Sequence, residues 1–546
     1  MTREASAAPG KAASADLGHA GGSNGVDRLL ARLISWTREV PRHPIAWRWI
    51  PLVVLGALAH WYWIHPPAPW GLWSGDAHEY AVLARRIAGG EGFTTGVILP
   101  AELSFGSGAD HPSVLRAPLW PLVLAGFFSV LGPEAWVIHL AVLLFHLGTV
   151  ALATVLAMSL AGTVPGLIAG VAVAASTPLV LFTIDGISES LFGFLTTLTF
   201  LLCARGGGAA WIGVVCGLAY LTRYNGFVLL APACLVLAGR PRPLRGLLVC
   251  SAGVLAVCAP WWIRNFLVAG SPLYTLYNLS MYFRPEMRAL NSSLWYALDP
   301  SPDHPAAMHP LEKFWILLPQ VLARFSLASA NLVALAGTFL ACIQRDRLGL
   351  GFVAIVLAST IVLAMGLPNG RYLIPFVPAM LAIGAAAWWR TLPVVRIPAL
   401  AAMLVLPLLP AYPPETQDLE LYRRVVRFGQ ALGGEIPPEF FVGKARPETL
   451  ARCLADRPVV LAQDAPQLVW RTDAIAIHLP SSRTDFWRIV EEHPVRFAQI
   501  RRYPRISKEE FDRHFELRPE CAPDLYEFRG RREGAGSTRP AGATRP

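Results

Sequence analysis

"PLWPLVLAGFFSVLG", residues 118–132, is the stretch on which the fold turns. It is apolar throughout, starts at a Pro and stops at a Gly, and falls short of the ~20 residues a helix needs to cross hydrocarbon. If it crosses a membrane, every later connection changes side; if it lies flat, none does. Arginine placement separates the two cases, because short basic connections stay cytoplasmic. The N-terminal segment carries Arg28, Arg32, Arg38, Arg42 and Arg48. Later connections carry Arg205, then Arg240, Arg242 and Arg245, then Arg345 and Arg347, then Arg390 and Arg396. All of these share one side when 118–132 lies on the membrane surface and 209–238 is two short spans meeting near Arg223.

The other long apolar runs are 46–65, 134–160, 163–183, 189–204, 209–222, 224–238, 246–267, 322–343, 348–366, 372–389 and 397–411. The expected fold is an all-α polytopic membrane protein with about eleven transmembrane helices. Interfacial helices occupy its first outer loop, and a small C-terminal soluble α/β domain follows. Composition agrees: the chain is 54% hydrophobic and 15% charged, against ~25% charge in a soluble domain. Residues 1–45 form a basic, Ala/Gly/Ser-rich cytoplasmic segment expected to be disordered, without the apolar core of a signal peptide. Residues 46–411 form the membrane core, 412–530 the soluble domain and 531–546 a disordered tail. The formal charge is +10, but its arginines sit between apolar runs. They read as topology and anionic-lipid contacts, not as a nucleic-acid surface. Six of the eight cysteines lie in apolar runs, while Cys453 and Cys521 lie in the tail and could pair if that side is oxidising. No metal-binding spacing and no nicotinamide or nucleotide motif is present, so no cofactor is expected, and the sequence leaves a divalent-metal requirement open.

An odd number of spans places the tail opposite the N-terminus, on the same side as 66–133, 183–190, 268–321 and 366–372. Asp76, Asp185, Glu189 and Arg371 then face one compartment, and charges gathered at the mouth of a bundle point to function. In "SGDAHEYAVLARRIAGGEGF" (74–93), Asp76 and Glu79 have capping-box spacing. Tyr80, Leu83, Ala84 and Ile87 make an apolar stripe, and Gly89-Gly90 ends the helix. Asp76 is therefore expected to cap an interfacial helix, a role compatible with chemistry because a capped position is rigid. Glu189 opens a span, where the helix dipole favours an acid. Arg371, Arg223 and Arg264 sit on the side that topology disfavours for cations. A planar guanidinium there suits a phosphate, or anchors the span by snorkelling. Arg116 precedes the interfacial run, and His78 and His111 read as surface histidines. The aromatics of "YTLYNLSMYF" serve as an interfacial belt or as a platform for sugar or lipid.

Taken in order, "GDAHEY", "RAPLWPLVLAGFFSVLG", "GISESLF", "GLAYLTRYNGFVLL", "PWWIRNFLVAGSPLY" and "GRYLIPFVPA" resemble the polyprenyl-phosphate-sugar-dependent glycosyltransferases of the C-type fold. That group includes bacterial aminoarabinose transferases and protein mannosyltransferases. "QDAPQLVWRTDAIAIHLP" resembles the outer domains that follow this core in bacterial relatives. The resemblance implies transfer of a sugar from a polyprenyl-phosphate carrier to an acceptor glycan, lipid or protein at the outer face of a bacterial inner membrane. Asp76 stands where such enzymes carry the acid that activates the acceptor. It is separated by two residues from Glu79, where some relatives have an adjacent acidic pair. Glu189 joins these two as a catalytic candidate. Asp185, Arg116, Arg223, Arg264, Arg371 and Tyr372 are the substrate-binding candidates, and membrane lipids are further partners. The rival expectation is a flippase or transporter of lipid-linked sugars.

Overall fold

The computed structural model describes residues 48–64, 71–284, 294–406, 447–501 and 505–530, apart from 73, 177, 181–182, 184–185, 302, 305–306, 329–331 and 367–369. The expected disordered ends, 1–45 and 531–546, and most of the junction after the last apolar run lie outside these residues.

The helical part comprises α1 Trp49–Ile64, α2 Gly75–Ala88, α3 Leu119–Leu131, α4 Ala135–Ala161, α5 Thr163–Ala174, α6 Glu189–Ala204 and α7 Ala209–Thr222. It continues with α8 Leu230–Ala238, α9 Pro243–Ala269, α10 Pro310–Ala328, α11 Leu332–Ile343, α12 Arg347–Met365, α13 Val377–Trp389 and α14 Pro393–Val405. Among the described residues, four helical stretches are long and apolar enough to cross a membrane: Ala135–Ala161, Pro243–Ala269, Arg347–Met365 and Arg371–Trp389. The other apolar helices are shorter. One difference from the sequence reading stands out. The described parts of the run 322–343, expected as one span, belong to α10 and α11 on either side of residues 329–331, and α10 starts far earlier, at Pro310. Glu312, Lys313 and Pro319 interrupt the apolar run there and hide the first half of α10 from a hydropathy reading.

Small residues let the helices approach closely. A Cβ on Gly213 of α7 would lie 2.0 Å from the Cys250 carbonyl oxygen of α9. The basic connections meet at one end of the bundle. Arg205 Nε donates to Ser159 Oγ (3.1 Å), Arg240 Nη1 to the Gly207 carbonyl (2.8 Å) and Arg390 Nη2 to the Leu160 carbonyl (3.2 Å). Arg390 also pairs with Asp346 at 3.2 Å. The arginine grouping behind the topology is therefore a spatial grouping too. The turn after α7, at Arg223, lies at the other end.

At that other end stands a six-stranded sheet in the order β1-β3-β2-β4-β6-β5. Its strands are β1 Val97–Ile98, β2 Val459–Ala462, β3 Ile475–His478, β4 Val495–Gln499, β5 Phe515–Leu517 and β6 Leu525–Phe528. Its helices are α15 Pro447–Cys453, α16 Ala465–Thr472, α17 Arg483–Glu492 and α18 Lys508–His514. β1, β3, β2 and β4 are parallel, and β6 and β5 are added antiparallel. β2 and β3 are buried at every position, as parallel strands covered on both faces must be. Alternate residues feed two cores: Leu461 and Ile477 face Phe486 and Ile489 of α17, while Val460 and Ala476 face Leu468 and Val469 of α16. The tail thus builds five strands, and the first loop supplies the sixth. Gly96 makes that join, since its carbonyl accepts from Ala476 N at 2.7 Å and a Cβ there would sit 2.9 Å from the Ala474 carbonyl oxygen. Cys453 and Cys521 form a disulfide within the tail domain.

Candidate active site

Helix α2 links the two halves of the molecule. Ser74, not Asp76, is its N-cap: Ser74 Oγ accepts from Ala77 N at 3.1 Å, and the helix begins at Gly75. The expected Asp76–Glu79 capping box does not form, because arginines take both carboxylates. A guanidinium offers a full charge where a backbone N–H offers a partial one. At its far end α2 docks on the tail domain, where Arg85 donates to the carbonyls of Val469 and Trp470, both at 2.9 Å. Those carbonyls lie in the last turn of α16, where a cation is favourable.

Arg116, just before α3, reaches back to α2. Its Nη2 lies 2.5 Å from Asp76 Oδ1 and its Nε 2.5 Å from Glu79 Oε2, while Nη1 donates to Tyr277 OH at 3.0 Å. Arg371, at the start of the segment leading into α13, donates through Nη2 to Asp76 Oδ2. Its Nε lies 3.5 Å from Glu189 Oε1. Arg223 pairs with Glu189 Oε1 at 2.8 Å and donates to Ser188 Oγ at 3.1 Å. Tyr372 lies beneath the guanidinium of Arg223 at 4.7 Å and that of Arg371 at 5.4 Å. The result is an alternating row: Glu79, Arg116, Asp76, Arg371, Glu189, Arg223. Its flanks are more covered: the side chains of Arg116 and Glu189 are 6% and 1% exposed, and those of the end members Glu79 and Arg223 are 15% and 11%. Its middle is reachable, because the side chains of Asp76 and Arg371 are 23% and 24% exposed.

The two carboxyls on α2 are pushed apart. Burial would raise Asp76, but Arg116 and Arg371 outweigh it and hold the carboxyl well below the usual carboxylate range. Burial raises Glu79 against the pull of Arg116, and the Asp76 charge adds to the rise. Asp76 is therefore a fixed anion here, and Glu79 the more basic neighbour.

Of the other candidates, Asp185 lies outside the described residues. Arg264 stands apart from the row, over the rings of Trp261 (4.9 Å) and Phe93 (5.5 Å), donating to the Phe93 carbonyl. His78 and His111, expected at the surface, are 5% and 1% exposed. Burial lowers each to about 4, and each Nδ1 meets a carbonyl, of Ser74 and Gly106 respectively. Three residues join the site without having been singled out. Tyr277 lies in the aromatic run already quoted. Ser188 is beside Glu189 in "GISESLF" and meets Tyr80 OH at 3.2 Å. Glu102 leaves no signal in the sequence; it is 2% exposed, and burial pushes its carboxyl up to about 8. Among the described residues, no group of three or more His, Cys, Asp or Glu side chains is placed to hold a metal ion.

With Arg116, Glu189 and Arg223 in one row, the sequence between them becomes informative. Residues 110–263 match the family model for dolichyl-phosphate-mannose-protein mannosyltransferase. The chain resembles the polyprenyl-phosphate-dependent glycosyltransferases of the C-type fold. The matched segment holds all three of those residues, while Asp76, Glu79, Arg371 and Tyr372 lie outside it. No curated protein matches the chain. Among solved structures, ArnT from Cupriavidus metallidurans bound to undecaprenyl phosphate is 15% identical with a TM-score of 0.48, covering 81% of this chain and 88% of that one. The Archaeoglobus fulgidus oligosaccharyltransferase in complex with Zn and sulfate is 13% identical with a TM-score of 0.47, covering 82% and 67%. AglB from the same organism, in complex with an inhibitory peptide and a dolichol-phosphate, is 10% identical with a TM-score of 0.44, covering 82% and 69%.

Proposed function

We propose that the chain is an integral membrane glycosyltransferase. It moves a sugar from a polyprenyl-phosphate carrier to an acceptor hydroxyl at the outer face of the bacterial inner membrane. The observation that carries this is the half-buried Asp76–Arg371 pair, the most accessible members of the ionic row. The donor named in the matched family's description is a lipid phosphate sugar, which brings one negative charge on its phosphodiester. Arg371 is the reachable cation, and its fork suits phosphate oxygens. Tyr372 and Arg223 support it from below.

The chemistry then follows from competition for Arg371. The phosphate draws its guanidinium away from Asp76. The carboxylate loses one of the two partners that hold its proton affinity down, and becomes a better base for the acceptor. The acceptor oxygen bonds to the anomeric carbon as the bond from that carbon to the phosphate oxygen breaks. The acceptor proton passes to Asp76, and the polyprenyl phosphate leaves with its charge held by Arg371. A single displacement inverts the anomeric centre. Glu79 keeps Arg116 in place, and Glu189 does the same for Arg223. The disulfide in the tail domain supports placing that domain in an oxidising compartment, outside the cytoplasm.

The test is direct. The full chain in lipid nanodiscs, given a polyprenyl-phosphate sugar and extracts of envelope acceptors, should release polyprenyl phosphate in step with glycosylated acceptor. If it instead moves the intact lipid-linked sugar between leaflets of proteoliposomes without consuming it, the chain is a flippase and the reading fails.

A further inference from the structure

The outer sheet reverses its winding between β2 and β4. From β2 the chain runs through α16, on one face, to β3 on one side of β2. From β3 it runs through α17, on the opposite face, past β2 to β4 on the other side. The connections leaving the carboxyl ends of β2 and β4 diverge, through α16 on one face towards β3 and through α18 on the opposite face towards β5, and open α/β sheets bind ligands in the crevice that such a reversal opens. A cavity of about 260 Å³ lies at that place.

Seven of its nine lining residues carry polar side chains, set beside Leu450 and Leu468. Gln463 and Asp464 follow β2, and Gln499 and Arg501 end and follow β4. Gln467 and Arg471 of α16 complete one side. Arg501 pairs with Asp524 at 3.0 Å and its backbone N donates to Gln463 Oε1 at 3.2 Å. Asp524 is 7% exposed, yet its buried Oδ1 has no hydrogen-bond partner among the described residues. The two aspartates balance the two arginines, so the crevice has no net charge to offer an ion. It offers carboxamides, carboxylates and guanidiniums, planar groups that present paired donors or acceptors. Vicinal hydroxyls present the complementary pairs. The crevice also adjoins the proposed site. Pro466, between Asp464 and Gln467, has its Cγ 3.9 Å from where a Cβ of Gly75 would stand, one residue before Asp76.

We infer that this crevice binds a neutral saccharide unit. Its identity as part of the acceptor rests on the glycosyltransferase reading; the saccharide binding itself does not. The test uses saturation-transfer NMR on the full chain in lipid nanodiscs made without sugar detergents. The probes are the methyl glycosides of glucose, galactose and mannose, with glucuronic acid as the charged comparison. Saturation should pass to at least one neutral glycoside at millimolar concentration. Its affinity should fall about fivefold in Gln467→Leu, and similarly in Gln499→Leu, as expected for one lost neutral hydrogen bond. Asp76→Asn should leave it unchanged, which separates this site from the ionic row. The inference is overturned if no neutral glycoside receives saturation, if glucuronic acid is preferred, or if neither glutamine substitution changes the signal. If binding behaves as expected while the parent transfers no sugar, the crevice stands and the glycosyltransferase reading falls.

Discussion

Asp76→Asn should make the protein bind its donor lipid more tightly while nearly abolishing transfer. The substitution removes one negative charge from a row of three carboxylates and three arginines, while Arg371 keeps Glu189 at 3.5 Å. In the parent, a donor phosphate must displace the Asp76 carboxylate from Arg371. Two unit charges ~4 Å apart at an effective dielectric of ~20 interact by about 4 kcal/mol. With about a quarter of each side chain exposed, solvent screening reduces that to roughly 1–2 kcal/mol. Polyprenyl phosphate should therefore bind about 5- to 30-fold more tightly to the variant. Transfer should fall by ~10²–10⁴-fold, the usual worth of a positioned base. Asp76→Ala should do the same without losing helix stability, because Ser74 holds the cap. The measurements are equilibrium binding of labelled polyprenyl phosphate in nanodiscs and single-turnover transfer. Weaker donor binding in Asp76→Asn would show that Asp76 does not compete for the phosphate site. A near-parental transfer rate would remove it from the chemistry, and Glu79, the more basic neighbour, would be substituted next.

Three further outcomes are expected. Arg371→Lys keeps the charge but cannot span Asp76 and Glu189 as the fork does, so the donor KM should rise about tenfold, and more for Arg371→Ala; if both variants use the donor like the parent, the phosphate sits on Arg223 instead. Glu102 is raised by burial from an ordinary value of 4.5 to about 8, so the folded state favours its protonated form. The associated stability is fully present below about pH 4.5 and is lost as pH rises through about 8, at most roughly 4–5 kcal/mol. Thermal unfolding should show the parent losing stability from pH 5 to 9 and Glu102→Gln losing much less; parallel curves would refute this. Finally, the Cys453–Cys521 disulfide closes a separation of 68 residues. Cys453→Ser should therefore destabilise the outer domain by about 3–4 kcal/mol, read as lower resistance to proteolysis, and reductant should have the same effect on the parent alone.

The chain's own pattern determined the membrane class, most of the helices and the side of the bundle on which the acids gather. Each is a one-dimensional signal. Apolar runs report burial in hydrocarbon, and arginines between the runs report which connections share a side. The structure brings Arg205, Arg240, Arg347 and Arg390 to one end as that pattern requires. Asp76, Glu189 and Arg371 were legible for the same reason, as charges placed where topology disfavours or does not need them. Tertiary structure alone decided their partners. The spacing of Asp76 and Glu79 suggested a mutual cap, but spacing along one helix says nothing of a guanidinium arriving from 37 or 40 residues away. Arg116 became central and Arg264 stood apart, though both are arginines beside apolar runs. The edge strand Val97–Ile98 is too short to carry any periodicity, and only its pairing with β3 makes it a strand. Burial of Glu102 likewise depends on what packs over it. Local pattern fixes which face of an element is apolar, whereas charge pairing and sheet completion depend on which distant segments meet.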